Sequence, residues 1–577
     1  MRKSALLIDT IIIGLVGAAS AQIFVFLLKL VGHYSLTMIA GYTPPDVLNI
    51  LMGSKTNTSY HAWLIVPVIV AGGLISGFLV YTFAPEAEGH GTDTAVRSFH
   101  RTGGYIRPIV TPLKIVASAI TIGTGGSAGR EGPTALFSSG VGSIYAHFRK
   151  ASIEERRLFV LIGMASGLSA IFRAPIGTSI FAIEVLYSDM EFESSALVYT
   201  LLGSIIAYVA TGFIMGWGSI FSVPVGLEAR HASTYVYLAV LGIFSGLIGI
   251  LLPNVFYYVR DGFHMIKIPP HFKPALGALV VGLIALVFPQ VLGGGYGWIQ
   301  EAINGKMALS LLAILVIAKM FAFTFTVSSG GSGGVFAPTL FIGAMLGSFF
   351  AHLFHQSSAI FAVIGMAAVF GSAARAPLAT IIMVTEMTGG YHLLAPAAFT
   401  VLLAYIVQAE GSSKLKVRYR SLYEAQVPDK SYSPVHQIEA LRNILMCNLP
   451  YLAVSPEAIN DREILDLLES GVPIKLPDGR MLIFGTLTRD VAPSRDDGEL
   501  TYKGARIMYI FRDGKWLHPN EVSELFAGDE LLICGDQQTI ERIRDELESI
   551  SGVFSRLRMQ HIRLEKHAGK AIPSCKT

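Results

Sequence analysis

Apolar runs of about twenty residues recur along the first three quarters of the chain, and no other feature limits the fold as much. The clearest are 64–83, 234–252, 276–288 with its flanks and 308–327, with shorter runs at 360–369 and 395–407. That length crosses a bilayer as a helix, which satisfies its own backbone polar groups. Charged residues make up 15% of the 577 positions, against about 25% in a soluble domain. The expected fold is therefore an all-α polytopic membrane protein. The opening MRKSALLIDTIIIGLVGAASAQIF imitates a signal peptide, yet the apolar run continues to Leu30. It is read as a retained first membrane helix.

Polarity changes sharply near residues 410–430, and about half of all charges fall in the last quarter of the chain. Short strand-like runs at 481–487, 505–511 and 530–534, followed by a helix-like run at 538–548, describe a C-terminal α+β domain. Cys447, Cys534 and Cys575 lie in this tail with no CxxC spacing, so neither a zinc site nor a disulfide framework is expected. The net charge of +3 comes without any basic, aromatic-interleaved block, so no nucleic-acid partner is expected. No cofactor and no metal are expected, and an enzyme is disfavoured. HExxH is absent, and the GxSxG matches GGSAG and GGSGG are glycine turns between apolar runs rather than strand-to-helix elbows.

The membrane part repeats itself. GSAGREGPTALF at 126–137 aligns with GSGGVFAPTLFI at 331–342, and IGMASGLSAIFRAPIGTSIFAIE at 162–184 with IGMAAVFGSAARAPLATIIMVTE at 364–386. Two matches in one order at nearly one offset indicate duplicated halves, an architecture that places a transport site at the repeat interface. In each half a glycine turn precedes Pro133 or Pro338 and then an apolar run. Proline at a helix start costs no hydrogen bond, and helix N-termini attract anions. Two such termini can converge on one desolvated anion without a full positive charge. The same glycines can equally serve close helix packing. Glu131 weighs on the first side, because a carboxylate in a membrane is costly and functional by default. It can occupy the anion's place while ionised and leave when protonated. Arg130 beside it is read mainly as structural.

These residues resemble the CLC family of chloride channels and proton-coupled chloride transporters. The resemblance covers roughly residues 1–428 and rests on GREGP at 129–133, GVFAP at 334–338, APEAEGHGTD at 84–93 and SLYEAQVP at 421–428. It implies two inverted repeats (roughly 60–215 and 270–410), a homodimer, and a separate anion pathway in each subunit. Carried over residue by residue, Glu131 matches the gating glutamate. The anion would be bound among His90, Gly91, Gly129, Arg130, Glu131, Gly132, Gly334, Val335, Phe336 and Tyr423. Within that set, Tyr423 offers a hydroxyl, Val335 and Phe336 offer backbone amides, and Gly89-His90-Gly91 matches a Gly-Ser-Gly turn.

Two departures from the family pattern follow. His90 replaces the usual serine. On the proton path, Glu184 and then Val185 stand opposite two adjacent acids of many proton-coupled members, so the internal proton-transfer glutamate is a valine here, and Glu184 is read either as a helix-terminal structural carboxylate or as a group that helps wire in water. Valine cannot take a proton, and the expectation is a gated passive anion channel, most simply for chloride. The alternative is an anion/proton exchanger whose proton route bypasses Val185. The tail, 429–577, resembles the C-terminal lobe of regulator-of-potassium-conductance domains over about 455–550. It is expected to be a cytoplasmic regulatory domain, with a small-molecule or nucleotide ligand and a ligand-free dimerisation role both open. The expected location is the plasma or inner membrane, multi-pass.

Overall fold

The computed structural model describes residues 3–45, 61–430 apart from 225–227 and 230, and, in the tail, 433, 435–436, 473–475, 479–496, 499–512, 515–517, 519, 522–544 and 546–548. Cys447 and Cys575 lie outside the described residues, while Cys534 is buried. The chain divides into two compact units, Met1–Phe99 with Gly104–Gln426, and His100–Gly103 with Val427–Thr577.

The first unit opens with α1 (Lys3–Gly32). The first half follows as α2 (Ala62–Phe83), α3 (Thr92–Arg101), α4 (Val110–Gly123), α5 (Glu131–Phe148), α6 (Ile153–Phe172), α7 (Pro175–Glu184) and α8 (Leu197–Met215). After α9 (Ala232–Met265), the second half repeats the pattern as α10 (Lys273–Val287), α11 (Tyr296–Ile303), α12 (Leu309–Ser328), α13 (Phe336–Leu353), α14 (Ser358–Ala373), α15 (Pro377–Thr388) and α16 (Leu394–Lys414). Among the described residues, eight helices are long and apolar enough to cross a membrane. The expected polytopic all-α fold with two repeats is what forms.

The repeat is visible in how helices break. α6 ends on Arg173 at φ 53°, and α14 is followed by Arg375 at φ 54°, a left-handed conformation uncommon outside glycine. In each case a proline two residues later starts the next helix, because its missing N–H is an orphan there anyway. Arg173 is held in place by donating to the carbonyls of Gly218 (2.8 Å) and Met215 (3.0 Å). The helices that follow have 10 and 12 residues. At 1.5 Å per residue they reach roughly half of the ~30 Å hydrocarbon thickness, so neither is long enough to span it alone.

The sequence also dictates which helices are central. Every residue of α14 from Ala359 to Ala373 is buried, as expected of a helix that is apolar all round. α5, α6 and α13 are similarly enclosed. Phe78 of α2, Phe213 of α8, Val236 of α9, Leu283 of α10 and Ile406 of α16 are exposed, as the rim of a membrane domain requires. α1 docks through a polar contact. The buried Asp9 carboxylate accepts from Tyr145 Oη (2.6 Å) of α5 and from Nε of its C-cap Arg149 (3.0 Å), the kind of pairing that makes a buried carboxylate tolerable.

The second unit holds an antiparallel sheet ordered β1-β2-β7-β5-β4-β3, with β6 on β5 and β8 on β2. Its long strands are β2 (Met481–Leu487), β5 (Ala505–Arg512) and β7 (Glu530–Gly535), with β1 (Ile474–Lys475), β3 (Ser494–Asp496), β4 (Glu499–Tyr502), β6 (Lys515–Leu517) and β8 (Leu547–Glu548) at its margins. Ile483, Ile507, Ile510, Leu531 and Ile533 build its core with Ile540 and Ile543 of α17 (Gln537–Arg544). The expected helix 538–548 is therefore shorter. Its last residues leave it and pair with β2 as β8. Glu546, just before β8, accepts from Lys503 and Tyr502 (both 2.5 Å) and from Arg489 (3.0 Å). Lys503 foremost, then Tyr502, holds its carboxyl down at about 2.

Candidate anion and proton site

The site forms where the two repeats meet. Gly129 N–H donates to the Gly334 carbonyl and Gly334 N–H to that of Gly129, both at 2.7 Å, an isolated antiparallel bridge. It ties together the two turns that start α5 and α13. Ser118 and Ser332 hydroxyls meet nearby at 2.8 Å, and Ser127 N–H donates to Thr326 Oγ1 at 3.0 Å. Glycine is required because the backbones touch: a Cβ on Gly334 would stand 2.6 Å from Gly132 N, and one on Gly91 2.7 Å from the Gly132 carbonyl oxygen. The close packing that the sequence allowed is thus present: the glycines let two helix N-termini approach, and the first N–H groups of a helix have no partner within it.

Glu131 is the first residue of α5 and 2% exposed. Its Oε2 lies over the Cα of Gly129, where an added Cβ would also come within 3.0 Å of Ala337 N in the first turn of α13. The carboxylate thus stands between the two helix starts. Its Oε1 accepts from the Tyr296 hydroxyl. The Arg130 guanidinium lies 4.6 Å from the centre of the same tyrosine ring.

The remaining predicted residues gather around this point. Val335 is the N-cap of α13 and Phe336 its first residue, the latter's ring packed on Phe370 (4.3 Å) and Phe172 (4.6 Å). Tyr423 is buried, its ring 5.5 Å from that of His90 and 6.4 Å from Phe181. His90 Nδ1 accepts the Asp93 N–H at 3.4 Å, at the start of α3. This spends one ring nitrogen as an acceptor and leaves Nε2 as a single donor, the same donor count as a serine hydroxyl. Gly91, at φ +85°, follows in the same turn.

Val185 is fully buried as the C-cap of α7. Glu184 accepts the N–H groups of Leu378 (3.1 Å) and Ala379 (2.6 Å) at the start of α15, so its carboxylate serves as a helix cap.

Several residues escaped the sequence reading. Lys114 of α4 and Lys319 of α12 are both completely buried. Lys114 Nζ donates to Ala87 O (2.8 Å) and Gly89 O (2.7 Å), and Lys319 Nζ to Val291 O (2.8 Å) and Gly293 O (2.6 Å). Lys114 thus stands against the Gly89-His90-Gly91 turn, where its Cε would lie 2.9 Å from a Cβ on Gly91. Backbone carbonyls take two of the donors on each ammonium, which tempers its hold on an anion. The repeat offset that pairs the glycine turns also pairs these lysines, so the signal was present in the chain. Tyr296 was missed as well, since the turn before it, Gly293-Gly294-Gly295, carries no polar side chain.

Residues 72–409 match the family described as "Voltage gated chloride channel". The chain belongs to the CLC family. Relatives include proteins of Salmonella agona and Citrobacter koseri, each named "H(+)/Cl(−) exchange transporter ClcA". Each is 31% identical over 382 residues, covering 63% of this chain and 80% of the relative. Solved structures with the same fold include a slow cyanobacterial Cl−/H+ antiporter (TM-score 0.62, 23% identity, 72% of this chain and 96% of that one). Another is a CLC-type fluoride/proton antiporter (TM-score 0.61, 22% identity, 74% of this chain and 98% of that one). The relatives' exchanger names overturn the expectation of a passive channel. The physical reason is that a valine at position 185 removes one proton acceptor, whereas Glu131 keeps its own capacity to carry a proton.

Proposed function

We propose that this CLC protein is an anion/proton exchanger, most simply for chloride, with Glu131 as the group both ions share. The observation that carries this is the Glu131 carboxylate set between the starts of α5 and α13. While ionised, it takes the place an anion would take. An anion can enter only when the carboxylate leaves, and protonation releases it by removing the charge that binds it to the helix ends. A carboxylate that leaves with a proton on one side of the cycle and returns without it moves that proton against the anion. The exchanger names of the relatives support this direction of reading.

His90 Nε2, Tyr423 and the amides at Val335 and Phe336 are the proposed anion donors, with Gly91, Gly129, Gly132 and Gly334 letting the backbones approach. Arg130, over Tyr296, supports the gate. The proton's other leg bypasses Val185. Protonating Glu184 would weaken the cap it gives to α15, so the route is assigned to other groups. A homodimer, an inner or plasma membrane location and a cytoplasmic tail over 429–577 are part of the same proposal. For the tail, the likeness to a regulator-of-potassium-conductance C-lobe is supported by an antiparallel sheet packed on one helix, and binding of a small molecule or nucleotide there is proposed on that likeness alone. In liposomes holding the purified protein, an outward chloride gradient should drive protons inward against their own gradient. Chloride movement with no proton movement would reject the exchanger.

A further inference from the structure

We infer that Tyr296 is a positioning residue that latches the ionised Glu131 carboxylate in the anion's place and thereby sets how acid the medium must be for Glu131 to leave. The inference rests on the exchanger reading only in taking Glu131 as the gate. Tyr296 opens α11, and its hydroxyl donates to Glu131 Oε1.

The ring is fixed on several sides. Phe221 stacks on it at 5.9 Å and 21°. The Arg130 guanidinium covers it at 4.6 Å, a cation–π contact. Gly294 makes room for it, since a Cβ there would stand 2.7 Å from Cε2. The turn behind it is anchored by Lys319, which holds the carbonyls of Val291 and Gly293. A donor placed by so many contacts meets the carboxylate without losing rotamer freedom, and a hydrogen bond to a charged acceptor is among the stronger ones. The bond favours the ionised carboxylate over the neutral acid, so it holds the gate in place.

The other charged or titratable groups around Glu131 are Arg130 on its own helix, Lys114 from α4, His90 from the turn before α3, and Tyr423. Arg173 at the end of α6 acts on Arg130, and Lys319 lies behind Tyr296. Substituting Tyr296 by phenylalanine leaves all of these, and the ring's stacking, in place. It removes only the donor.

The test is the pH profile of chloride flux in liposomes for parent, Tyr296→Phe, Glu131→Gln and the double variant. In Tyr296→Phe the pH of half-maximal flux should rise by about one unit, because a carboxylate that loses a donor protonates at higher pH. Flux near pH 7 should rise about 3- to 10-fold with it. On the Glu131→Gln background the same change should alter flux by less than about 2-fold. An unshifted profile, or the same factor in both backgrounds, would overturn the latch. Infrared difference spectra read Glu131 itself: the carboxylic C=O band that Glu131→Gln abolishes should appear at higher pH in Tyr296→Phe, and an unmoved band would also overturn it. A shifted profile without chloride-driven proton movement would reject the exchanger and keep the latch, whereas coupled transport with an unshifted profile would do the reverse.

Discussion

Glu184 and Glu386 cap each other's helices across the two halves. Glu184, the last residue of α7, accepts from Leu378 and Ala379 at the start of α15. Glu386, in the last turn of α15, accepts from Ile176 (3.2 Å) and Gly177 (2.7 Å) at the start of α7. Two helices too short to span a membrane thus satisfy each other's orphan N–H groups, and each carboxylate meets the positive end of a helix. Together with the Gly129–Gly334 bridge, this exchange gives the repeat a physical axis.

Breaking one cap should destabilise the fold more than it changes the anion site. Glu184→Ala leaves two N–H groups at a buried helix end without their carboxylate, which costs about 1–3 kcal/mol. Glu184→Gln keeps an acceptor oxygen and should cost about half as much. Thermal unfolding of purified protein should rank parent above Glu184→Gln above Glu184→Ala, with chloride-to-nitrate flux ratios unchanged. A wild-type melting point in Glu184→Ala with lost proton coupling would instead place Glu184 on the proton route.

Glu131→Gln should mimic the protonated gate. In the acid range where the parent gains flux about tenfold per pH unit, the variant should vary by less than about 2-fold and run faster at neutral pH. Its flux should no longer carry protons. A variant that responds to pH as the parent does would remove Glu131 from the gate.

In the tail, Glu546 ties Lys503, Tyr502 and Arg489 to the turn before β8. Its carboxyl is held at about 2, below the ordinary 4.5. A depressed folded value means stability that is present above pH 4.5 and is lost as the pH falls through about 2. The side chain is 25% exposed, so the contribution is at most about 1 kcal/mol. Hydrogen exchange of strands β2 and β8 in the full-length protein should be faster in Glu546→Gln at pH 7, and the difference should vanish toward pH 2. Equal exchange at pH 7 would contradict this.

The membrane class, the repeat and the position of Glu131 were legible because each is written in local pattern: runs long enough to span, two glycine turns at one offset, one carboxylate at a helix start. The strands of the tail were legible for the same reason. The exchanged caps were not, since Glu184 and Glu386 meet α15 and α7 only after two distant segments fold together. Lys114 and Lys319 lie inside apolar runs and were passed over, although the repeat offset pairs them. Tyr296 acquires its role from Glu131, 165 positions away in the chain. Val185 misled because an absent acceptor says where a proton does not go, and the mode of transport depends on where it does.

If one carboxylate serves both ions, a chloride gradient alone must move protons. Sealed liposomes holding the purified protein are loaded with chloride, diluted into chloride-poor medium at equal pH, and followed with an external pH electrode while a potassium ionophore clamps the voltage at zero. The external medium should turn alkaline as chloride leaves and protons enter. In Glu131→Gln that signal should disappear while chloride efflux persists. Chloride efflux from the parent with no change in external pH would contradict the shared carboxylate.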